Sequence, residues 1–349
     1  MIDKSTNVRS HKRTRRARGL PAHWRGLAVA GWRAVFKTVG PLAPGAAGRL
    51  AHRLFFSPPR FRGEARAPEG ARHMLIEVEG VRVAAWRCGQ GPLVLLMHGW
   101  GGSSTQIAAM APALLARGFS VVALDAPAHG RTAGRRSSLI DFARALRAVA
   151  GVTGPLHAIV GHSVGAAAAA LAVAEGLAVE NLVLVASAAD PARWTRTFAA
   201  TFGVPRRAMD EMGLRSERRL RFRWSSLHLR ALLSGYPGRV LFVHDRDDRE
   251  VRWNEAWQLS QELAHASFVL TAGLGHRRIL SHAGVADVVA GFVDTGVATP
   301  GPELPLARLC AAAYCDRPAE DGLSFCGRCA LDHHLFDRGA GARWPVGVA

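Results

Sequence analysis

The sequence contains no long apolar run. None of its 349 residues lies in an uninterrupted apolar stretch of 18, whereas a membrane-spanning helix needs about 20 such residues. A secretory signal is not expected either, because the apolar stretch after the basic residues 12–18 is short and is broken by Arg33. Cysteine is scarce outside the last 40 residues, which hold four of the five cysteines, so disulfides do not staple the whole chain. These absences predict a cytoplasmic protein without a transmembrane helix.

Acidic residues are rare at the N-terminal end. Residues 1–72 carry sixteen Lys and Arg against three Asp and Glu, and they supply +13 of the net charge of +18. Residues 1–19 are expected to be disordered, whereas apolar residues at helical spacing between 21 and 55 predict two amphipathic helices with basic faces. This N-terminal arm either packs on the core with its cations in solvent or makes a peripheral contact with a membrane or another anionic surface. Nucleic acid is not an expected partner, because no nucleic-acid-binding motif accompanies the charge.

Short apolar segments alternate with segments of helical periodicity through most of the chain. The predicted strands among them fall at residues 93–97, 119–124, 156–160, 182–185, 240–243 and 267–271. Unbroken apolar runs are typical of strands that are covered on both faces. Strands that alternate with helices predict an α/β fold with a mostly parallel sheet wound on both faces, and a hairpin over residues 74–86 is expected to precede it.

Residues 190–238 interrupt this alternation. Their Trp, Phe and Met residues recur at roughly helical intervals, which predicts a helical cap over one edge of the sheet. The predicted organisation is a basic helical arm, a core in two segments, a cap inserted between those segments and a small cysteine-rich tail. In that order, the boundaries are 1–72, 73–189 with 239–298, 190–238 and 299–349.

Ser163 stands at the centre of a Gly-x-Ser-x-Gly pattern between the predicted strand 156–160 and an alanine-rich helix. A serine between a strand and a helix requires a sharp turn, and Gly161 and Gly165 remove the Cβ atoms that would clash there. The hydroxyl then lies at the positive end of a helix, which favours an anion that forms beside it. The pattern therefore predicts that Ser163 is a nucleophile.

A serine nucleophile needs a base within hydrogen-bond reach and a carboxylate that orients this base. On such a turn the expected chain order is serine, acid, histidine, and candidates for both partners follow predicted strands in that order. The acid is expected to be Asp248, with Asp245 and Asp247 as alternatives in the same loop. The base is expected to be His276, which follows the last strand, with His282 in reserve.

Two backbone N–H groups must also face the oxyanion that forms during acyl transfer. The N–H of Val164, directly after the nucleophile, is one candidate. The second is expected from a glycine-rich loop after an earlier strand. The loop that begins His98-Gly99-Trp100 fits this description, with the Trp100 N–H as the donor.

These motifs resemble those of the α/β-hydrolase family of serine hydrolases over roughly residues 73–295. The resemblance rests on the loop at 98–100, the Asp-x-Pro-x-His-Gly stretch at 125–130, the turn at 161–165, Asp248 and His276. It implies the α/β-hydrolase fold, no cofactor for catalysis, and hydrolysis through an acyl-enzyme. By this resemblance Ser163 is the nucleophile, His276 the general acid and base, and Asp248 the acid that orients it. The arm and tail lie outside the family's core, and Asp245 stands where many members have glycine.

A serine nucleophile in place of a carboxylate argues against dehalogenase and epoxide hydrolase chemistry. The expected reaction is cleavage of a carboxylic ester, with thioesters and amides as alternatives. The aromatic cap predicts a small-molecule substrate with an apolar acyl or alcohol group. The alternative function is a catalytically idle, hydrolase-like binding module that holds a partner through the basic arm and the cysteine-rich tail.

The tail contains two closely spaced pairs of cysteines, which are Cys310 with Cys315 and Cys326 with Cys329. Such pairs suit a tetrahedral zinc ion, because each pair holds one side of the ion. We expect a structural zinc site there, with the residues at 332–334 as substitute ligands. Free thiols and disulfides are the alternatives.

Overall fold

The α/β architecture that the sequence predicts is present in the computed structural model, which describes residues 22–59, 67–68 and 70–307. The predicted disorder of residues 1–19 and the predicted zinc site lie outside the described residues. One sheet dominates the fold. Its strands are β1 Arg72–Val78, β2 Val81–Cys88, β3 Leu93–Met97, β4 Ser120–Leu124, β5 Leu156–His162, β6 Asn181–Val185, β7 Arg239–Asp245 and β8 Ala266–Thr271.

The eight strands follow the order β1-β2-β4-β3-β5-β6-β7-β8. β1 and β2 form the predicted hairpin, and β2 also pairs antiparallel with β4. All other neighbouring strands pair in parallel. The mostly parallel, doubly wound sheet is therefore confirmed, with the hairpin as its antiparallel edge.

The α-helices of the described residues lie before the sheet, between its strands and after its last strand. They are α1 Ala22–Leu42, α2 Pro44–Phe55, α3 Ser104–Ile107, α4 Ala111–Ala116, α5 Leu139–Thr153, α6 Val164–Ala174, α7 Ala192–Phe202, α8 Arg206–Leu220, α9 Leu229–Leu233, α10 Trp253–Ser260, α11 Gly275–Arg278 and α12 Ala283–Thr295. Three of them, α7 to α9, form the cap between β6 and β7. None of these helices is both long and apolar enough to span a bilayer.

Each face of the sheet covers its own hydrophobic core. In β3, Leu95 and Met97 pack in one core, whereas Val94 and Leu96 pack in the other, because successive side chains of a strand point to opposite faces. Every residue of β3, β4 and β6 is buried, which explains why all of them except Ser120 and Asn181 are apolar. The carboxyl ends of parallel strands meet at one edge of a sheet, so the loops after β3, β5, β7 and β8 lie together there.

The N-terminal arm packs against the cap. A third apolar cluster, the arm–cap cluster, contains Phe36, Ala47 and Ala51 from the arm with Val204, Ala208 and Met212 from the cap. At Gly48, helices α2 and α8 approach so closely that an added Cβ would lie 2.5 Å from the Glu211 Cβ. The packing interpretation of the arm therefore describes α1 and α2, whereas contact with a membrane stays a prediction.

This packing predicts a large loss of stability when the arm's central aromatic ring is removed. Phe36 is fully buried, so Phe36→Ala should lower the free energy of unfolding by about 3–5 kcal/mol through lost burial and a new cavity. Leu42 ends the same helix and is 87 % exposed, so Leu42→Ala should change it by less than about 0.5 kcal/mol. Urea denaturation of both variants checks this, and equal losses would contradict the packing of α1 on the cap.

Candidate active site

The turn between β5 and α6 holds Ser163 in a strained backbone conformation. Its φ of 54° and ψ of −118° lie in a region that costs a non-glycine residue on the order of 1–3 kcal/mol. Glycine is required on both sides: a Cβ at Gly161 would lie 2.6 Å from the Ala166 Cα, and one at Gly165 would lie 2.4 Å from the His98 carbonyl oxygen. The predicted sharp turn with serine at its tip is therefore present.

The acid expected from the sequence contacts the expected base. Asp248 follows β7, and its Oδ2 lies 2.7 Å from the Nδ1 of His276, which belongs to the short helix α11 after β8. Its Oδ1 accepts hydrogen bonds from the N–H groups of Glu250, at 2.8 Å, and Val251, at 2.9 Å. These contacts fix the carboxylate and orient the imidazole so that Nε2 is left for chemistry.

The hydrogen bonds of Asp248 also control its charge. Burial by itself would raise the pKa of this carboxyl, but hydrogen bonds from the rings of His244 and His276 and from the Val251 N–H outweigh burial and hold the pKa below its usual value of 3.8. Asp248 is therefore ionised at neutral pH. An ionised carboxylate stabilises the imidazolium that forms when His276 takes up a proton.

The other two aspartates of this loop have structural roles. Asp245 is fully buried, and its Oδ2 accepts hydrogen bonds from Thr271 Oγ1, at 2.7 Å, and the Leu274 N–H, at 3.0 Å. Asp247 accepts the Gly273 N–H at 2.7 Å. Both therefore tie the loop that carries the base to the end of β7, and only Asp248 of the three contacts the imidazole.

Ser163 and His276 line the same cavity, and no hydrogen bond joins their side chains among the described residues. Ser163 itself is 7 % exposed, so the cavity is what its side chain faces. Contacts of this kind often shorten only when substrate is bound. The reserve base, His282, lies at the N-cap of α12 and does not line this cavity.

The two predicted oxyanion donors also line the cavity. Neither the Trp100 N–H nor the Val164 N–H donates to an acceptor within the described part of the chain, and both residues line the cavity together with Ser163. The loop after β3 comes close to the turn, since a Cβ at Gly99 would lie 3.1 Å from the Ser163 Cβ. Both N–H groups therefore lack an acceptor within the described residues and belong to residues that line the cavity.

His98 holds the loop that carries Trp100. Its Nδ1 lies 2.7 Å from the Gly99 carbonyl oxygen, and its Nε2 accepts the Ala126 N–H at 3.0 Å. This arrangement requires a neutral ring with the proton on Nδ1. Burial lowers the pKa of His98 to about 4, which agrees with that assignment.

Two further buried histidines lie beside the site, and the sequence did not predict a role for either. His162 Nε2 lies 2.9 Å from the His276 carbonyl oxygen, so it supports the backbone of the base. Burial and the nearby His276 ring lower its pKa to about 3. Burial and the His98 ring also lower the pKa of His129 to about 3, against the opposing effect of its 2.9 Å contact with the Pro127 carbonyl oxygen. Their positions beside Ser163 and within the 125–130 motif were the only sequence signals.

Glu250 also lies at the site, and the sequence did not predict a role for it. Its Oε2 lies 4.0 Å from His276 Nε2, and its Oε1 accepts a hydrogen bond of 3.1 Å from Arg277 Nε. Apart from His276, Glu250 and Arg249 are the titratable residues that line the cavity. The Nε2 side of His276 therefore lies near a charged group, whereas the other lining residues are apolar or small and polar.

The cavity itself has a volume of about 670 Å³, which falls in the ordinary range for small-molecule sites. Its walls come from three parts of the chain: the loops at the sheet edge, the cap and the end of the arm. The cap contributes Trp194, Phe198, Phe202, Phe222 and Trp224. Within the described residues, no group of three or more His, Cys, Asp or Glu is arranged to hold a metal ion.

The buried histidines predict that stability falls on acidification. The unfolded chain binds protons below about pH 6.5, where the folded chain keeps these rings neutral. Their contribution is therefore complete above pH 6.5 and declines towards pH 4, by about 1.4 kcal/mol per pH unit for each ring. His129→Asn, whose amide can replace Nδ1 as a donor, should reduce this slope by one such increment in urea denaturation between about pH 5 and pH 8.

Phe142→Leu is the matched control for that substitution. Phe142 packs against both the His98 and the His129 rings, so its replacement should lower stability at every pH and leave the slope unchanged. An unaltered slope in His129→Asn would show that His129 does not cause the acid sensitivity.

Comparison with known proteins agrees with the fold. Residues 91–235 match the family described as "Serine aminopeptidase, S33". Two structures of Est1E from Butyrivibrio proteoclasticus are similar, one of them with ferulic acid bound. The ferulic acid structure has 18 % identity and a TM-score of 0.51, over 63 % of this chain and 96 % of that one.

An esterase from Exiguobacterium antarcticum has 15 % identity and a TM-score of 0.49, over 64 % of this chain and all of that one. No curated protein matches the chain. The sheet order, the cap after β6 and the similarity to Est1E show that the chain has the α/β-hydrolase fold, and residues 91–235 are similar to the serine aminopeptidase family.

Proposed function

We propose that the protein is a serine hydrolase that cleaves a carboxylic ester with an apolar acyl group. The observation that carries this proposal is the strained backbone of Ser163 beside the same cavity as His276, whose Nδ1 lies 2.7 Å from Asp248. Strain at a nucleophile position persists only where surrounding structure enforces it. Here two glycines and two closely packed elements do so.

In the proposed reaction, His276 Nε2 takes the proton of Ser163 Oγ as that oxygen attacks the substrate carbonyl carbon. The carbonyl oxygen becomes an oxyanion and accepts hydrogen bonds from the Val164 and Trp100 N–H groups. The imidazolium then gives its proton to the departing alkoxide, which leaves an acyl-enzyme on Ser163. Water then hydrolyses the acyl-enzyme. His276 removes a proton from the water as its oxygen attacks the acyl carbon, and the imidazolium returns the proton to Ser163 Oγ as the carboxylic acid is released.

The lining of the cavity supports an apolar substrate. Outside the Arg249 and Glu250 pair, its walls carry aromatic, aliphatic and small polar side chains, which offer no partner to a charged acyl group. The proposed reaction needs no cofactor, because the nucleophile, base, orienting acid and oxyanion donors all belong to this chain. Thioesters and amides would pass through the same acyl-enzyme.

The proposal predicts that a fluorophosphonate probe labels the wild-type protein at Ser163. Ser163→Ala should abolish both labelling and hydrolysis of p-nitrophenyl esters, because no other described residue supplies the nucleophile. Ser57→Ala is the matched control: Ser57 lines the same cavity but bonds to the Arg53 carbonyl oxygen, so this variant should still be labelled. A folded wild-type protein that resists the probe would favour the alternative of an idle binding module.

A second prediction concerns the orienting acid. Asp248→Asn should lower kcat on the same esters by about three to four orders of magnitude, because the amide favours the wrong tautomer of His276. Asp247→Asn keeps an oxygen that can accept the Gly273 N–H and should retain most of the activity. Steady-state kinetics of both variants checks this, and equal losses would assign the role to the loop's shape instead.

A further inference from the structure

The end of the N-terminal arm forms part of the cavity wall. The cavity is lined by Leu54, Phe55, Phe56, Ser57 and Pro59 of the arm. No other described residue of the arm lines it. These residues come from the last turn of α2 and the segment after it. The cavity that contains Ser163 is therefore built from the arm as well as from the core and the cap.

Phe55 contacts two of the cap's aromatic rings. Its ring meets Phe198 edge-on, with centroids 5.2 Å apart, and Trp224 edge-on, with centroids 6.0 Å apart. Edge-to-face pairs at these separations are favourable. Phe55 also packs against both the arm–cap cluster and the large core that contains α5 and α6. It therefore lies where the arm, the cap and the core meet.

Several contacts hold this wall in place. Arg33 donates to the Thr201 carbonyl oxygen at 2.8 Å and to the Ala200 carbonyl oxygen at 3.1 Å, which joins α1 to the end of α7. On the core side, the Ser137 N–H donates to the Phe56 carbonyl oxygen at 2.8 Å. With the close packing at Gly48, these bonds make the arm a fixed part of the cavity.

The charged residues that line the cavity, Arg249 and Glu250, follow Asp248 in the chain, and Glu250 Oε2 lies 4.0 Å from His276 Nε2. The lining residues from the arm are Leu, Phe, Ser and Pro. An occupant that reaches from Ser163 to the arm therefore places an uncharged, apolar portion against Phe55. An acyl chain fits this description, with its carbonyl at Ser163.

From these contacts we propose that the arm is part of the acyl-binding site and that Phe55 sets the longest acyl chain that fits. This inference rests on the proposed function. A smaller side chain at position 55 opens the aromatic contact with Phe198 and Trp224 and admits a longer chain, and a larger one excludes it. Each further methylene that is buried should raise affinity about fourfold.

The test uses the full-length chain and p-nitrophenyl esters of straight-chain acids of increasing length. Phe55→Ala should shift the maximum of kcat/KM to longer acyl chains, and Phe55→Trp should shift it to shorter ones. Trp32→Ala is the matched control: Trp32 is a partly buried aromatic residue of the same arm that packs on the arm–cap cluster but does not line the cavity. It should leave the preferred length unchanged.

The same maximum in all of these proteins would overturn the role of Phe55. An equal shift in Trp32→Ala would overturn it too, because it would show only a loosened arm. Binding of the free straight-chain acids to the Ser163→Ala protein, measured by calorimetry with and without the changes at Phe55, separates this inference from the proposed function. A longer optimum for Phe55→Ala in binding supports the inference even if the wild-type protein neither hydrolyses esters nor reacts with the probe, and an unchanged optimum overturns it.

Discussion

The strained turn at Ser163 is the constraint on which the candidate site depends. The Ser163 N–H donates to the Val185 carbonyl oxygen at 2.9 Å, which ties the turn to the neighbouring strand β6. Gly165 packs against the backbone of the β3 end, and Gly161 packs against the start of α6. The same contacts that force a positive φ on the serine bring the Trp100 loop beside it. A single close approach of β3, β5 and α6 therefore positions both the strained Ser163 and the loop that carries the candidate donor Trp100.

Burial of apolar surface has two effects in this molecule. The arm docks because Phe36, Ala47 and Ala51 find the apolar side of α8, and burial of such side chains is the main favourable term in folding. That docking also brings Phe55 against the cap's aromatic rings. Stability of the arm and the shape of the cavity are consequently coupled, although the arm lies far from Ser163 in the sequence.

Much of the fold could be predicted from local patterns. Apolar runs identified the parallel strands, because strands covered on both faces have no polar side to show. The choice of Asp248 and His276 followed from the rule that functional side chains collect at the carboxyl ends of such strands. The choice between Asp245 and Asp248 stayed open, since only tertiary contacts show that Asp245 bonds to Thr271 and Leu274.

Other features have no local signal. Basic residues between apolar ones suit a solvent-exposed helix, a membrane-surface helix or a docked arm equally well, and only the fit of Gly48 against α8 distinguishes them. The neutral state of His129 and His162 likewise depends on burial by segments distant in the chain. Sequence periodicity describes one segment at a time, whereas these properties belong to pairs of segments.

The docking of the arm affects the solubility of the folded chain. A chain that began at β1 would leave Val204, Ala208 and Met212 of the cap facing water, although all three are now buried. Contiguous exposed apolar surface promotes self-association. The arm thus covers an apolar surface of the cap, and proteolytic loss of the first 59 residues would expose that surface and favour aggregation.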